Sequence, residues 1–290
     1  MSLGIALSLG TALLFGVYLY SLKRHFAAYP SPVFVALSYA FAFPAYLPVV
    51  LLRDGALLPA TDPLMTTGLM VGVAALTALA LLAFFAAIRR GDVSYVSPIA
   101  KVVPVFVLPI EILGLGVELS VIQIAGVAVA TVAIYVANWQ GDSVTEPLRR
   151  AITTPAAQLA LASAATFGVV DVGKRLMMQE LNVDPATYLP LMFVVVGLLV
   201  SPWALRANWP ATWRSDLPKF AIVGAVIAYG NHAILLAFAD LPASIVSPLV
   251  NLQAVVAVVL GGVLLNESYF RTRLVAAALA VGGVAMISLG

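Results

Sequence analysis

Long apolar runs separated by short polar breaks make up most of this chain. An α-helix needs about 20 apolar residues to cross the hydrocarbon core of a bilayer. Ten runs meet this length, at residues 2–22, 32–52, 65–88, 94–114, 118–138, 156–178, 185–205, 219–238, 243–264 and 270–289. They are too long and too continuous for the strands of a membrane barrel. The pattern therefore predicts an all-α membrane protein with ten transmembrane helices.

Polar residues inside the apolar runs recur in the second half of the chain at an offset of 150 positions. Ser97-Pro98 in the fourth run matches Ser247-Pro248 in the ninth, and Lys101 falls on Asn251. The first and sixth runs also share a motif, Phe15-Gly16-Val17 and Phe167-Gly168-Val169. These matches indicate that the chain contains an internal duplication.

The longest interior polar break divides the ten runs into five and five. An odd number of spans in each copy forces the two copies to insert with opposite orientation. Inverted repeats of this kind are typical of secondary transporters, whose binding sites lie near the midplane. We expect two repeats and a connecting loop that together form one membrane domain: residues 1–138, 139–155 and 156–290.

The composition supports a membrane location. The chain is 62% hydrophobic and 10% charged, whereas a soluble domain is nearer ~45–50% apolar and ~25% charged. The first run lacks a basic leader, so we interpret it as a retained span. We expect a multi-pass protein of the cell membrane, in a prokaryotic inner or plasma membrane. A net charge of +2 argues against a nucleic-acid partner.

Lysine and arginine are concentrated in the odd-numbered loops, which hold eleven of them against three in the even-numbered loops. Loops rich in these residues remain in the cytoplasm. The count therefore predicts that both termini lie outside the cell. The three even-loop residues in this count are Arg53, Lys174 and Arg175.

Three motifs at matching places carry a family resemblance. Phe15-Gly16 and Lys23 stand where the family has Trp-Gly and a lysine at the end of span 1. The segments 97–118 and 247–267 each resemble the family segment that ends in a Gly-Glu turn. On these residues, the chain resembles the drug/metabolite transporter superfamily, in its ten-helix EamA-type branch. The resemblance implies a central cavity lined by the first four helices of each half, with helices 5 and 10 outside.

The candidate substrate-binding residues begin with Lys101 and its counterpart Asn251. Lys101 lies roughly eight residues into its span, about 12 Å deep and near the bilayer midplane. A cation there must be paired or hydrated. It is either a counter-ion for an anionic substrate or a structural lysine paired with Asp171 or Glu111. The full candidate set is Lys101, Asn251, Tyr18, Tyr39, Tyr46, Gln253, Tyr229 and His232.

Three of these candidates also have a packing alternative. Tyr39 and Tyr46 belong to an aromatic stripe on span 2, and such stripes also serve helix packing. His232 shares a helix face with Tyr229 and has a side chain suited to proton relay, but a lone histidine in a bundle is also a packing residue.

Two carboxylates are candidates for proton coupling or gating. Asp171 lies in span 6, three and four residues before Lys174 and Arg175, a spacing that also allows local ion pairs. Glu111 lies toward the end of span 4, where a solvated helix end is the alternative.

The sequence contains no enzyme motif of the common hydrolase, phosphate-loop or zinc-protease types. We expect no catalytic residues, no metal site and no cofactor. The predicted function is a secondary-active transporter of small organic solutes that works by alternating access, and the family resemblance implies an exporter of metabolites or amino-acid-like compounds. Its expected partners are that solute, with an anionic group to match Lys101, protons and membrane lipids. A lipid or lipid-phosphate flippase and a non-transporting membrane scaffold are the alternatives.

Overall fold

The computed structural model describes residues 2–53, 62–90, 100, 103–137, 154–253, 255–256, 259–260, 275, 278–279, 281–283 and 285–286. These residues form nine helices: α1 Leu3–His25, α2 Ser31–Leu52, α3 Pro63–Arg90, α4 Val103–Leu115, α5 Val121–Ala137, α6 Pro155–Gln179, α7 Pro185–Leu205, α8 Leu217–Asp240 and α9 Ala243–Asn251. The described residues of the tenth predicted span are helical too. The prediction of an all-α membrane protein is confirmed, and α1 to α9 follow the first nine predicted spans.

Six of the described helices are long and apolar enough to cross a membrane, namely α1, α2, α3, α6, α7 and α8. The described parts of α4 and α5 are shorter apolar helices. Gly116 ends α4 with a left-handed backbone, φ 64°, which glycine adopts without steric cost. The Val117 N–H then bonds to the Glu111 carbonyl at 3.2 Å, so the chain turns just beyond Glu111.

Several helices begin where a small polar residue caps the first turn. The Thr154 hydroxyl accepts a hydrogen bond from the Ala157 N–H, and the Asp184 carboxylate accepts one from Ala186. Each is followed by proline at the first helical position, where the missing N–H costs nothing. These local signals place the starts of α6 and α7 within a residue of the predicted spans.

The two halves run in opposite directions. At one end of the bundle, the Gly4 N–H at the start of α1 donates to Asp240 Oδ2 at 2.7 Å. At the same end, Gln179 Nε2 at the close of α6 donates to the Leu241 carbonyl at 3.0 Å. The start of α1 therefore lies beside the end of α6, its counterpart in the other half. We call this end of the bundle the Glu111 face, after the carboxylate described below.

Helices of one half pack against helices of the other, and corresponding helices of the two halves make the same contacts. α1 packs on α8 as α6 packs on α3, α1 packs on α9 as α6 packs on α4, and α2 packs on α7. Gly16 in α1 lies close to Val256, and Gly168 in α6 lies close to Phe106. A Cβ atom added at Gly168 would be only 2.8 Å from the Phe106 Cβ. Val256 and Phe106 are themselves separated by the 150-residue offset. The shared Phe-Gly-Val motif thus provides the same close helix crossing twice.

One expectation about individual residues is wrong. Lys174 and Arg175 lie within α6, with side chains 8% and 11% exposed, so they are not loop residues. Gly68 and Gly72, at a spacing typical of helix packing, meet no described atom within 4 Å of an added Cβ. Gly224 does pack closely, with an added Cβ 2.5 Å from the Phe41 carbonyl carbon.

Candidate functional site

Asn251 is the described member of the predicted central pair. Its side chain is buried at the end of α9, and Nδ2 donates to the Ser247 carbonyl at 2.9 Å. Gln253, two residues further on, is also buried, and its main-chain carbonyl oxygen lies close to Gly16 of α1. Lys101 lies outside the described residues. The role of Asn251 and Gln253 in substrate binding stays a prediction.

Tyr46 and His232 form the shortest link between α2 and α8. The Tyr46 hydroxyl and His232 Nδ1 are 2.6 Å apart, and Tyr46 is fully buried. Phe193 of α7 lies edge-on between Tyr39 and Tyr46, with both ring centroids at 6.0 Å. These aromatic side chains fill the space among α2, α7 and α8, an arrangement that serves helix packing and leaves the substrate role untested.

Tyr229 lies at the edge of that cluster, with its ring centroid 6.4 Å from that of Tyr46, whereas Tyr18 lies outside it. Tyr229 is 46% exposed and its hydroxyl donates to the Ala45 carbonyl at 3.2 Å. Tyr18 on α1 packs against Phe15 and Phe34, with ring centroids at 6.0 and 6.3 Å. The structure therefore brings Tyr46, Tyr229 and His232 together, while Tyr18 belongs to a separate aromatic group.

Glu111 is fully buried, so the solvated helix end considered for it is wrong. Its two carboxylate oxygens each accept a hydrogen bond at 2.7 Å, one from the Ala243 N–H and one from Ser244. These are free N–H groups of the first turn of α9, where the helix dipole favours a negative charge. A carboxylate from the first half therefore caps a helix of the second half.

Arg175 supplies the nearest described cation to Glu111. Its Nε lies 4.0 Å from Glu111 Oε1, and its NH1 lies 3.3 Å from Glu180 Oε1. Sequence spacing suggested instead that Arg175 pairs with Asp171. Asp171 Oδ1 lies 4.0 Å from Lys174 Nζ, the expected pair at a spacing of three. The proton-coupling role of Asp171 stays a prediction.

Sequence reasoning missed the group that surrounds Glu111. Gln179 Nε2 donates to the carbonyls of Phe238 and Leu241, at 2.8 and 3.0 Å. Asp240 caps α1 through the Gly4 N–H. A signal was available, because spans 4, 6 and 8 all end at the same face, and each carries a polar or charged residue near that end.

The two faces differ at positions related by the duplication. Asp240, which caps α1, corresponds to Arg90 at the 150-residue offset. A cation cannot accept hydrogen bonds from a helix N-terminus.

A cleft of about 460 Å³ lies between the end of α3 and the start of α6, lined by Arg90, Pro155, Gln158, Leu159 and Ala162.

The face opposite Glu111 carries a second charged cluster, formed by Tyr29 and Asp216 just outside the spans and by Lys219 in the first turn of α8. Asp216 accepts hydrogen bonds from the Tyr29 hydroxyl at 2.7 Å and from Lys219 Nζ at 2.6 Å. The Lys219 and Tyr29 hydrogen bonds lower the pKa of Asp216 to about 2. Burial, together with the bond to Asp216, raises the pKa of Tyr29 to about 12. The cluster ties the α1–α2 connection to the start of α8.

We expect the Asp216 cluster to lose its stabilising effect in acid. The pKa of Asp216 falls from 3.8 to about 2 on folding, so its contribution is complete above pH ~4 and is lost as the pH drops toward ~2. The Tm difference between the native protein and Asp216→Asn should shrink over that range. Asp62→Asn, at an exposed carboxylate, is the control. A Tm difference that stays constant from pH 4 to pH 2 would contradict the prediction.

The architecture agrees with a comparison against family models. The EamA-like transporter family matches residues 2–139 and again residues 154–289. This chain belongs to the EamA-like transporter family. The family lies within the drug/metabolite transporter superfamily, so the resemblance in the sequence is confirmed. Its members are transporters of small solutes and multi-pass proteins of the cell membrane.

Solved structures show the same fold. One match, described only as a crystal structure of a protein, has a TM-score of 0.80 and 17% sequence identity. The alignment covers 99% of this chain and 99% of that one. A comparison with curated proteins gave no match.

Proposed function

We propose that this EamA-like transporter moves a small organic solute by alternating access, with the repeats 1–138 and 156–290 moving about a central site. The observation that supports this most directly is that the two ends of the bundle are closed to different degrees, although the helices are arranged with twofold pseudo-symmetry. α6 packs on α8 at the Glu111 face, whereas the matching pair, α1 and α3, makes no comparable contact within the described ranges 3–25 and 63–90. One conformer closed at a single face is the arrangement that alternating access requires.

The proposed site lies between the repeats and contains Lys101, Asn251 and Gln253. Asn251 and Gln253 occupy the part of the ninth span that packs against α1. Pro248 lies inside α9 and has no N–H, so a backbone carbonyl of the preceding turn is left for neighbouring groups or cavity water to satisfy. Tyr18, Tyr39, Tyr46, Tyr229 and His232 complete the proposed substrate wall.

We propose export as the direction, a metabolite or amino-acid-like compound with an anionic group as the solute, and protons as the coupling ion. Lys101 supports the anionic group, because a cation at the bilayer midplane needs a counter-charge. Asp171 supports proton coupling, because it is a carboxylate only 16% exposed inside a span, with Lys174 beside it. The resemblance to metabolite exporters supports the direction.

Replacing Lys101 with methionine should weaken substrate binding while leaving the fold intact. The change removes a full charge but keeps most of the apolar volume. Charge-assisted hydrogen bonds are worth roughly 1.5–3 kcal/mol each, so affinity should fall about tenfold or more. A solute screen by thermal shift on purified protein identifies the ligand, and counterflow into proteoliposomes measures its transport.

Lys219→Met is the matched control, since Lys219 is a lysine with a side chain 52% exposed at the bundle end. It should bind and transport like the native protein. The double variant Lys101→Met/Asp171→Asn separates binding from structure. Lost stability in Lys101→Met that the second change restores would mean a structural pair. Normal transport by Lys101→Met would defeat both interpretations.

A further inference from the structure

Packing, together with the matching of the two repeats, divides six helices of the bundle into two units. In the first, α1, α8 and α9 pack together, and Gly4–Asp240 and Tyr29–Asp216 tie opposite ends of α1 to α8. We call this set the α1 unit. Its counterpart, the α6 unit, contains α3, α4 and α6. There Ser163 Oγ donates to the Ala80 carbonyl at 2.8 Å, joining α6 to α3.

Two polar side chains of the α6 unit cross to the α1 unit at the Glu111 face. Glu111 of α4 accepts the two first-turn N–H groups of α9. Gln179 of α6 donates to the carbonyls of Phe238 and Leu241, beside the end of α8. All four bonds end on backbone groups, which do not change rotamer. The units cannot separate at this face without breaking them.

Burial makes the Glu111 contact strong. The carboxylate has no exposed surface, and its hydrogen bonds are charge-assisted, roughly twice as strong as neutral ones. Arg175, in the same unit as Glu111, places a guanidinium 4.0 Å away. The cation stays with Glu111 if the units part, so the carboxylate keeps a charge partner in both arrangements.

We propose that Glu111, assisted by Gln179, is the gate that holds this transporter closed at the Glu111 face, by capping α9 across the two units. The proposal rests on the alternating-access function proposed above. Opening that face breaks the cap and leaves Glu111 on Arg175. Asp240 caps α1 at the same face but within one unit, so it is a structural cap and not part of the gate.

Distances between spin labels test the gate directly. The chain has no cysteine, so the pair Leu113→Cys and Ala239→Cys labels α4 and α8 near the Glu111 face. Leu113 is 84% exposed, and Ala239 is exposed as well. Pulsed electron paramagnetic resonance on the purified, reconstituted protein should give one dominant distance between the two labels. Adding Glu111→Gln should increase a longer-distance fraction about tenfold, equivalent to about 1.4 kcal/mol.

Asp240→Asn is the matched control, because it neutralises the other carboxylate that caps a helix at this face. It should lower Tm and leave the distance distribution unchanged. An unchanged distribution in folded Glu111→Gln would overturn the gate. An equal change in Asp240→Asn would overturn it too, because both carboxylates would then be structural caps.

Gln179→Ala gives a second test that creates no buried charge. It removes two of the crossing hydrogen bonds and should increase the longer distance to a smaller degree. If Glu111→Gln does not fold, a native distribution in Gln179→Ala rejects the gate. The measurement uses no substrate, so a gate that opens in a protein inactive in counterflow would contradict the proposed transport and not the gate.

Discussion

Arg175→Met should destabilise the folded protein by about 3–5 kcal/mol, the cost of breaking a buried ion pair in soluble proteins. The change leaves Glu111, which is fully buried, without its described cation. The two α9 N–H groups remain, but they do not carry a full positive charge. Chemical or thermal unfolding in detergent measures the loss.

The double variant Arg175→Met/Glu111→Gln shows where that loss comes from. Removing both charges should recover a large part of the stability, since a neutral amide carries a far smaller desolvation cost. Arg206→Met, at an exposed arginine that ends α7, should change stability by no more than about 0.5 kcal/mol. A double variant no more stable than Arg175→Met would mean that the arginine acts through packing alone.

Alanine at Gly16 or Gly168 should destabilise the protein by about 1–3 kcal/mol through overpacking. A methyl group at Gly168 would sit 2.8 Å from the Phe106 Cβ, and one at Gly16 would overlap Val256. The two sites are copies of one helix crossing, so we expect losses of similar size. Thermal unfolding of both variants under the same conditions provides the comparison.

Gly72→Ala serves as the control, because its expected effect on stability is opposite to that of the Gly16 and Gly168 variants. An added Cβ at Gly72 meets no described atom within 4 Å, and alanine in a helix is more favourable than glycine by about 0.5–1 kcal/mol. Gly72→Ala should therefore be neutral or stabilising. Equal destabilisation at Gly72 and Gly168 would show that the close crossings are not the cause.

The sequence predicts the helices well because span length and polar breaks are local properties. Predicted span 185–205 coincides with α7, and the opposite orientation of the halves follows from an odd number of spans. The environment of Glu111 is not local, because its hydrogen-bond donors lie 132 and 133 positions further along the chain. Its position in the sequence suggested a helix end in water, and tertiary packing buried it.

The aromatic stripe on α2 is a second case in which the sequence predicts the local arrangement but not the tertiary contacts. The spacing of Tyr39 and Tyr46 places both on one face of α2, as observed. It could not identify Phe193 or His232 as their partners, because α7 and α8 are distant in sequence. The charge count placed Lys174 and Arg175 with the loop residues although both fall within the predicted span 156–178, and α6, which ends at Gln179, keeps both in the helix.

The difference between Glu111 and Gly261, its counterpart at the 150-residue offset, has an energetic consequence under the proposed alternating access. Two identical inverted copies would make the forms closed at either face equal in free energy, each with half of the molecules at rest. A buried carboxylate that caps α9 across the two units at one face, with a glycine at the equivalent position of the other repeat, removes that equality. Every 1.4 kcal/mol of difference shifts the resting ratio about tenfold, so divergence at this pair of positions would set which side of the membrane an empty carrier faces at rest.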